Sequence, residues 1–219
     1  MKQIYYSAIF ILAFGLLAAA PAEAHQPRLV DGNQLVLIKQ PEISQAFYGE
    51  LKGYEAYYLI DLQQAQDLYF QILTPDLPGI AKDKAVDIKY MNELGAESEE
   101  FARLDPASAE WTEFYEELAG DHYWQGPEIK QPAEPGYYVV KVTSPDQAGK
   151  YVLVVGEKEE FPPLEAVKAA LIIPQLKKNF FNQPLTAWFN GKLGRYFGLG
   201  LIGFLLLIFM FHRFNKVYK

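Results

Sequence analysis

Apolar and polar residues alternate in short runs through the middle of the chain. Residues 55–61 and 67–73 alternate along their whole length, and glycine or proline interrupts the chain between runs. Period-two alternation over short, punctuated runs is typical of half-buried strands in antiparallel sheets and not of a helical bundle. The predicted strands are 35–38, 44–51, 55–61, 67–73, 87–90, 136–143 and 150–156.

The stretch from Gly136 to Gly156 is the most strand-like part of the chain. It contains a strand, a polar turn at Ser144 and Asp146, and a nearly continuous apolar strand that we expect at the centre of its sheet. This predicted closing hairpin, GYYVVKVTSPDQAGKYVLVVG, resembles the pre-peptidase C-terminal type of β-sandwich, as does YYLIDLQQAQDLYFQIL earlier in the chain. The resemblance implies a mainly β fold, a jelly-roll-like antiparallel β-sandwich of about seven or eight strands. It implies no activity.

One helix is predicted as an insertion in the β-sandwich, at residues 105–120. Asp105 is a good N-cap, Pro106 suits the first helical position, and Gly120 suits the end of a helix. Helical spacing would place four apolar residues on one stripe: Trp111, Phe114, Tyr115 and Leu118. Such a stripe favours core packing over a sugar-stacking surface.

The longest apolar run lies near the C-terminus. It begins at Tyr196 and ends at Phe211 without a charged side chain, and Arg195 and Arg213 flank it. A helix of this length covers about 24 Å, and flanking side chains can extend to the surfaces of a bilayer whose hydrocarbon core is about 30 Å thick. We therefore expect a transmembrane helix at 195–213 in contact with the lipid bilayer, followed by a cytoplasmic tail at 214–219.

The N-terminus predicts export. A positive residue, an apolar stretch over 4–17 and small residues at Ala22 and Ala24 form the pattern of a signal peptide. We expect this peptide to occupy 1–24, so that the mature chain begins at His25. Cleavage after Ala22 is the alternative. The predicted location is the cell membrane, as a single-pass protein with its N-terminus outside and its C-terminus in the cytoplasm.

Charge divides the chain into an acidic body and a basic C-terminal part. The expected extracytoplasmic β-sandwich domain, 25–163, and the two residues after it contain 26 acidic and 11 basic side chains, whereas 166–219 contains eight basic and no acidic ones. So acidic a body repels phosphate, and no nucleic-acid partner is expected. The amphipathic juxtamembrane region, 164–194, has two possible roles: lying in the membrane interface, or packing against the acidic domain.

Few residues have the spacing that catalysis or metal binding requires. The chain has no cysteine, and no nucleophile elbow, phosphate loop or H-E-x-x-H motif occurs. A mature N-terminal His25 would offer its α-amine and imidazole as a chelate for copper, and His122 would complete the site. The pair Ala24-His25 resembles the mature start of exported copper carriers of the CopC type. Copper is therefore the candidate cofactor, with His25 and His122 as its candidate ligands.

Three functions remain open on the sequence. The first is a membrane-anchored, non-catalytic binding or assembly module of the cell envelope, with another envelope protein as its partner. The second is an extracytoplasmic copper-binding or copper-delivery protein that uses His25. The third is a glycan-acting hydrolase, which would need two carboxylates on one cleft. No catalytic residue is assigned.

Overall fold

A computed structural model of the chain describes residues 25–31 and 34–217, with the side chains of 207 and 210–217 outside the description. The predicted signal peptide at 1–24 lies outside the described residues, as do positions 218 and 219 of the predicted tail. The described chain is mainly β, and helices follow the last strand. The strands are β1 (Gln26–Leu29), β2 (Val36–Ile38), β3 (Gln45–Lys52), β4 (Ala56–Leu62), β5 (Gln66–Pro75), β6 (Ala85–Met91), β7 (Glu99–Leu104), β8 (Thr112–Glu116), β9 (Asp121–Ala133), β10 (Gly136–Thr143) and β11 (Ala148–Val155).

The strands form a β-sandwich of two mixed sheets. Sheet A has six strands in the order β1-β3-β11-β5-β9-β8, and sheet B has five in the order β2-β4-β10-β6-β7. Most neighbours are antiparallel, but β1 runs parallel to β3 and β2 runs parallel to β4. The prediction of an entirely antiparallel sandwich is therefore wrong at one edge of each sheet. The chain changes sheet after each of these strands, so each parallel pair is joined by a crossover and not by a hairpin.

The core between the sheets consists of alternate residues of their central strands. Tyr138, Val140 and Val142 of β10 are buried there, as predicted. Val152 and Val154 of β11 are also buried, but on the opposite face of sheet A. Strand β11 is therefore covered on both sides, which explains its nearly continuous apolar sequence.

The strands of the predicted closing hairpin form, but they do not pair with each other. β10 lies between β4 and β6 in sheet B, whereas β11 lies between β3 and β5 in sheet A. The turn between them carries the chain from one sheet to the other, with the Ala148 N–H donating to Ser144 Oγ at 3.1 Å. Alternation along a strand shows which residues share a face, but it does not show which strand supplies the hydrogen bonds.

The helix predicted at 105–120 is wrong: this stretch forms a turn, strand β8 and a second turn. The Asp105 carboxylate accepts a hydrogen bond from the Ala107 N–H at 2.9 Å, so its capping ability serves a turn. Gly120, at a φ of 76°, ends the second turn. Trp111 packs against the core between the sheets, whereas Phe114 packs on the outer face of sheet A. No single helical stripe could serve both sides, and Thr112–Glu116, with the β-forming Thr112, Phe114 and Tyr115, pairs with β9 instead.

A helical layer, which we define as 163–190, follows β11 and covers the outer face of sheet A. It comprises α1 (Pro163–Gln175), one π-helical turn (Leu176–Phe180) and a 3₁₀ helix (Leu185–Asn190). Leu176, Phe180 and Phe181 pack against six residues of the sheet: Ala46, Tyr48, Leu73, Tyr123, Val152 and Val154. Packing against the acidic domain, one of the two roles left open by the sequence, is therefore observed.

Helix α2 (Lys192–Val217) continues the chain beyond the helical layer. Within the described part of the chain, no helix combines the length and the apolar character that crossing a membrane requires. The predicted span from Tyr196 to Phe211 includes positions 207, 210 and 211, whose side chains lie outside the description.

Candidate functional site

A cleft of about 620 Å³ opens on the outer face of sheet A. Residues of β5, β8 and β9 line it together with His25, and they combine carboxylates, aromatic rings and a histidine. The residues that define its character are His25, Tyr69, Tyr115, Glu116, Glu117 and Glu128. Carboxylates beside aromatic rings attract positively charged groups. The cleft is therefore suited to binding a cationic group.

Glu116 stabilises the turn at residues 117–120, which lies in the stretch where the sequence predicts a helix. Its two carboxylate oxygens accept hydrogen bonds from the Leu118 N–H at 2.8 Å and the Ala119 N–H at 2.7 Å. Burial raises the pKa of Glu116, although these two backbone hydrogen bonds act in the opposite direction. The carboxylate thus caps a turn, and the same turn accepts hydrogen bonds from the start of α2, where the N–H groups of Lys192 and Leu193 donate to Glu117 O and Leu118 O.

The other wall of the cleft is tied together by Glu128. Its Oε2 accepts hydrogen bonds from the Tyr69 hydroxyl at 2.6 Å and from Gln71 Nε2 at 3.1 Å. Burial and the hydrogen bond to Glu128 raise the pKa of Tyr69, so the hydroxyl remains a neutral donor. Glu117 pairs with Lys192. Three of the carboxylates at the cleft therefore take part in the fold as well as in the charge of the surface.

A buried ion pair joins the helical layer to sheet A. Lys177 Nζ lies 2.7 Å from Asp121 Oδ1 and also donates to Gly120 O at 3.2 Å, and the side chains of both charged residues are at most 1% exposed. The side-chain amide of Gln183 lies next to Asp121, and Asp121 Oδ2 and Gln183 Oε1 are both buried without a hydrogen-bond partner among the described residues. Burial raises the pKa of Asp121, and the charge and hydrogen bond of Lys177 oppose that rise.

Two further contacts hold the helical layer. Glu165 of α1 pairs with Arg28 of β1 at 2.9 Å, and within α1 it also pairs with Lys168 at 2.6 Å. Lys150 of β11 donates to Phe180 O at 2.5 Å. Basic and acidic residues on both sides of the interface are thus used for packing, which the charge division of the sequence did not reveal.

The first predicted copper ligand, His25, is held inside the cleft. Its Nδ1 lies 2.5 Å from Ser44 Oγ, within hydrogen-bonding distance. Burial lowers the pKa of the imidazole, so the neutral ring is favoured. Nδ1 is the ring nitrogen nearer to the main chain and the one that would join an α-amine in a chelate. Copper would therefore have to displace Ser44 from it.

The second predicted ligand, His122, lines a different cavity, of about 520 Å³, together with Gly120, Gln183 and Asn190. Its ring is in contact with the ring of Tyr115 at a tilt of 43°, with the ring centroids 4.7 Å apart. Tyr115 lines both cavities, but the structure does not bring the two histidines into one of them. In the described part of the chain, no group of three or more His, Cys, Asp or Glu side chains is arranged to hold a metal ion. Copper binding stays a prediction.

Sequence reasoning missed the residues that connect the helical layer with the sheet. Lys177 lies in the apolar sequence LIIPQLKKNFF, and a lysine surrounded by such residues is a signal for a buried ion pair. No comparable signal identified Asp121 as its partner, since the two residues are far apart in the chain and meet only through packing.

No protein-family model matches the chain, and no curated protein does. Some solved structures resemble the chain, at low sequence identity. The pre-peptidase C-terminal domain of collagenase from Bacillus anthracis aligns with a TM-score of 0.36 and 15% identity over 57% of this chain and 97% of that domain. The corresponding values for the Yersinia pseudotuberculosis-derived mitogen are 0.36, 12%, 53% and 88%. For CorA, a surface-associated copper-binding protein important in Methylomicrobium album BG8 copper acquisition, they are 0.30, 10%, 57% and 98%.

The first of these structures is a domain of the type that the stretch from Gly136 to Gly156 resembles, and the third is a copper-binding protein. At these TM-scores and identities the similarity carries no argument about the function of this chain.

Proposed function

We propose that the protein is a single-pass membrane protein whose β-sandwich lies outside the cytoplasm and acts as a non-catalytic binding or assembly module of the cell envelope. The observation that carries the proposal is the exposure of successive large apolar side chains along α2: Leu199, Leu201, Ile202, Phe204, Leu205, Leu206, Ile208 and Phe209. Successive residues point to all sides of a helix, so one packing face could not cover them. A bilayer, the partner proposed for this segment, is a favourable environment for such a helix.

The proposed orientation rests on charge. Arg213, Lys216 and Lys219 follow the apolar run, and basic residues after a span favour the cytoplasmic side. The acidic sandwich is then outside, where a partner would meet it.

The cleft on sheet A is the surface that we propose for binding. Its carboxylates and aromatic rings favour a basic surface on the partner, which we propose to be another protein of the envelope. The structural hydrogen bonds of Glu116 and Glu128 support a rigid recognition surface, because they fix the side chains before a partner arrives.

The anchor can be tested with arginine substitutions in the full chain. Replacing both Ile202 and Leu205 by arginine should release the protein from membranes, because each charge costs about 2.5–3.5 kcal/mol near the bilayer centre. The matched control carries Leu35→Arg and Leu94→Arg, which alter exposed leucines on the sandwich. Extraction at alkaline pH should leave the control in the membrane fraction. An Ile202/Leu205 variant that resists extraction as well as the control does would disprove the anchor.

The binding surface can be tested with a photo-reactive amino acid. Tyr115 in the cleft and Tyr57 on the outer face of sheet B are each 40% exposed, so they form a matched pair of positions. We expect a specific cross-link to an envelope protein from position 115, and its loss when Glu117 and Glu128 are replaced by lysine. Equal cross-linking from both positions would show that the cleft is not the binding surface.

A further inference from the structure

The 3₁₀ helix Leu185–Asn190 packs directly alongside the first turns of α2. A Cβ atom added to Gly194 would lie 2.1 Å from Trp188 O, and one added to Gly198 would lie 3.2 Å from Phe189 Cε1. The rings of Trp188 and Phe197 are in contact, with centroids 5.1 Å apart. Because the two glycines permit this close approach, the 3₁₀ helix and residues 194–198 of α2 lie in the same environment.

This pair of helices exposes an apolar surface, as does α1 through Leu164, Val167 and Leu171. Leu185 is 57% exposed and Phe189 48% exposed, and Tyr196 and Phe197 of α2 are exposed as well. By contrast, Leu176, Phe180 and Phe181 of the same layer are buried against sheet A. We call the exposed surface the aromatic platform; its members are Leu185, Phe189, Tyr196 and Phe197, and the partly buried Trp188 is in ring contact with Phe189 and Phe197.

The charged residues nearest to the platform in sequence are basic. No acidic residue follows Glu165, the exposed Lys178 precedes the platform in sequence, and the exposed Arg195 lies next to its member Tyr196. Aromatic side chains with nearby basic residues are typical of segments that lie at the boundary between headgroups and acyl chains.

We infer that the aromatic platform lies in this boundary region of the bilayer and fixes the sandwich close to the membrane surface. The inference rests on the proposed function, because it takes the anchor in α2 as given. The platform includes Phe197 and packs beside Gly198 through Phe189, and both 197 and 198 belong to the apolar run, so a bilayer that surrounds this turn of α2 also reaches the platform. The cavity lined by His122, Gln183 and Asn190 then lies beside the membrane, since the platform helix forms one of its walls.

Single cysteines can test the inference in the full-length protein, because the chain has none of its own. Leu185→Cys and Phe189→Cys place an environment-sensitive fluorophore on the platform. Leu94→Cys, at a leucine 67% exposed between β6 and β7, is the control on the sandwich. Each labelled protein is reconstituted into vesicles of phosphatidylcholine and phosphatidylglycerol. Quenching is then measured with iodide in the water and with lipids that carry a quencher near the headgroup.

We expect both platform labels to be quenched by the lipid-borne quencher and to be several-fold less accessible to iodide than the label at position 94. Platform labels that are as accessible to iodide as the control, in protein that resists alkaline extraction, would overturn the inference and leave the anchor intact. Protection from iodide without lipid quenching would indicate contact between copies of the chain and would overturn it as well. Protein that is extracted at alkaline pH would disprove the anchor, and the inference with it.

Discussion

The outer faces of sheets A and B have similar strand geometry but different surroundings. On sheet A, apolar residues such as Tyr48 and Val152 face outward and are buried beneath the helical layer. On sheet B, outward-facing positions remain at the surface, where Lys141 lies 3.3 Å from Glu55 and 3.5 Å from Asp87. A face that another layer covers needs apolar residues, and a face in water does not.

The ion pairs on the outer faces of the two sheets also differ in burial. Lys177 and Asp121, beneath the helical layer, are at most 1% exposed, whereas the side chain of Lys141 is 30% exposed. A pair in water loses little when it is broken, because water solvates both charges. A buried pair is different, since removing one partner leaves the other charge without solvation. The burial of a salt bridge therefore affects its contribution to stability more than the distance between its charged atoms does.

The largest effect is expected from a charge placed beneath the helical layer. Val154→Asp would bury a carboxylate between sheet A and the layer, at a cost of several kcal/mol against a total stability of about 5–15 kcal/mol. Val139→Asp, on the outer face of sheet B, should cost about 1 kcal/mol. Thermal melting of the two full-length variants would measure the difference. Similar melting temperatures would mean that the layer does not cover Val154 in solution.

The next effect compares the two lysines. Lys177→Met keeps most of the side-chain volume but leaves Asp121 buried without its partner, so we expect a loss of about 3–5 kcal/mol in the free energy of unfolding. Lys141→Met should lose about 0–1 kcal/mol. Chemical denaturation of both variants measures these values, and equal losses would contradict the contrast drawn between the two faces.

Acidification should reduce the penalty of Lys177→Met. Burial raises the pKa of Asp121 above its ordinary value of 3.8, and removing Lys177 removes the largest of the effects that oppose this rise. The folded state of the variant then binds a proton more tightly than the unfolded state does, so the cost of the ionised carboxylate is present above the folded pKa and disappears as the pH falls toward 3.8. Unfolding measured from neutral to acidic pH should show this decrease for Lys177→Met and little change for Lys141→Met. A penalty independent of pH would mean that Asp121 is hydrated in the variant.

The smallest effect is expected for copper. In a mature chain that begins at His25, His122→Ala should leave Cu(II) affinity unchanged, because the two histidines line different cavities. An additional alanine before His25 should weaken any binding, because it separates the amine from the ring. Titration with Cu(II) provides the measurement. If both changes reduce affinity at least about tenfold, roughly 1.4 kcal/mol each, a shared copper site exists and the metal-free binding module is wrong.

The sequence alone was sufficient for the strands with clear alternation and for their buried residues. Tyr138, Val140 and Val142 alternate with more polar positions, and this pattern depends only on the geometry of a single strand. The cleft and the buried ion pair could not be predicted in this way. Their members come from β5, β8, β9, the N-terminus and the helical layer, and only packing brings them together.

Local signals between 105 and 120 were real, but their structural meaning depended on the rest of the fold. Asp105 caps and Gly120 ends a turn here as they would cap and end a helix, because both uses need the same side-chain oxygen and the same positive φ. The partner strand β9 decided between the two outcomes, since it offers hydrogen bonds along the whole of β8. Likewise, the stretch after Gly136 contained two strands and a turn in its sequence. The assignment of β10 and β11 to different sheets was decided by tertiary structure alone, because each strand found its neighbours among distant segments and not across its own turn.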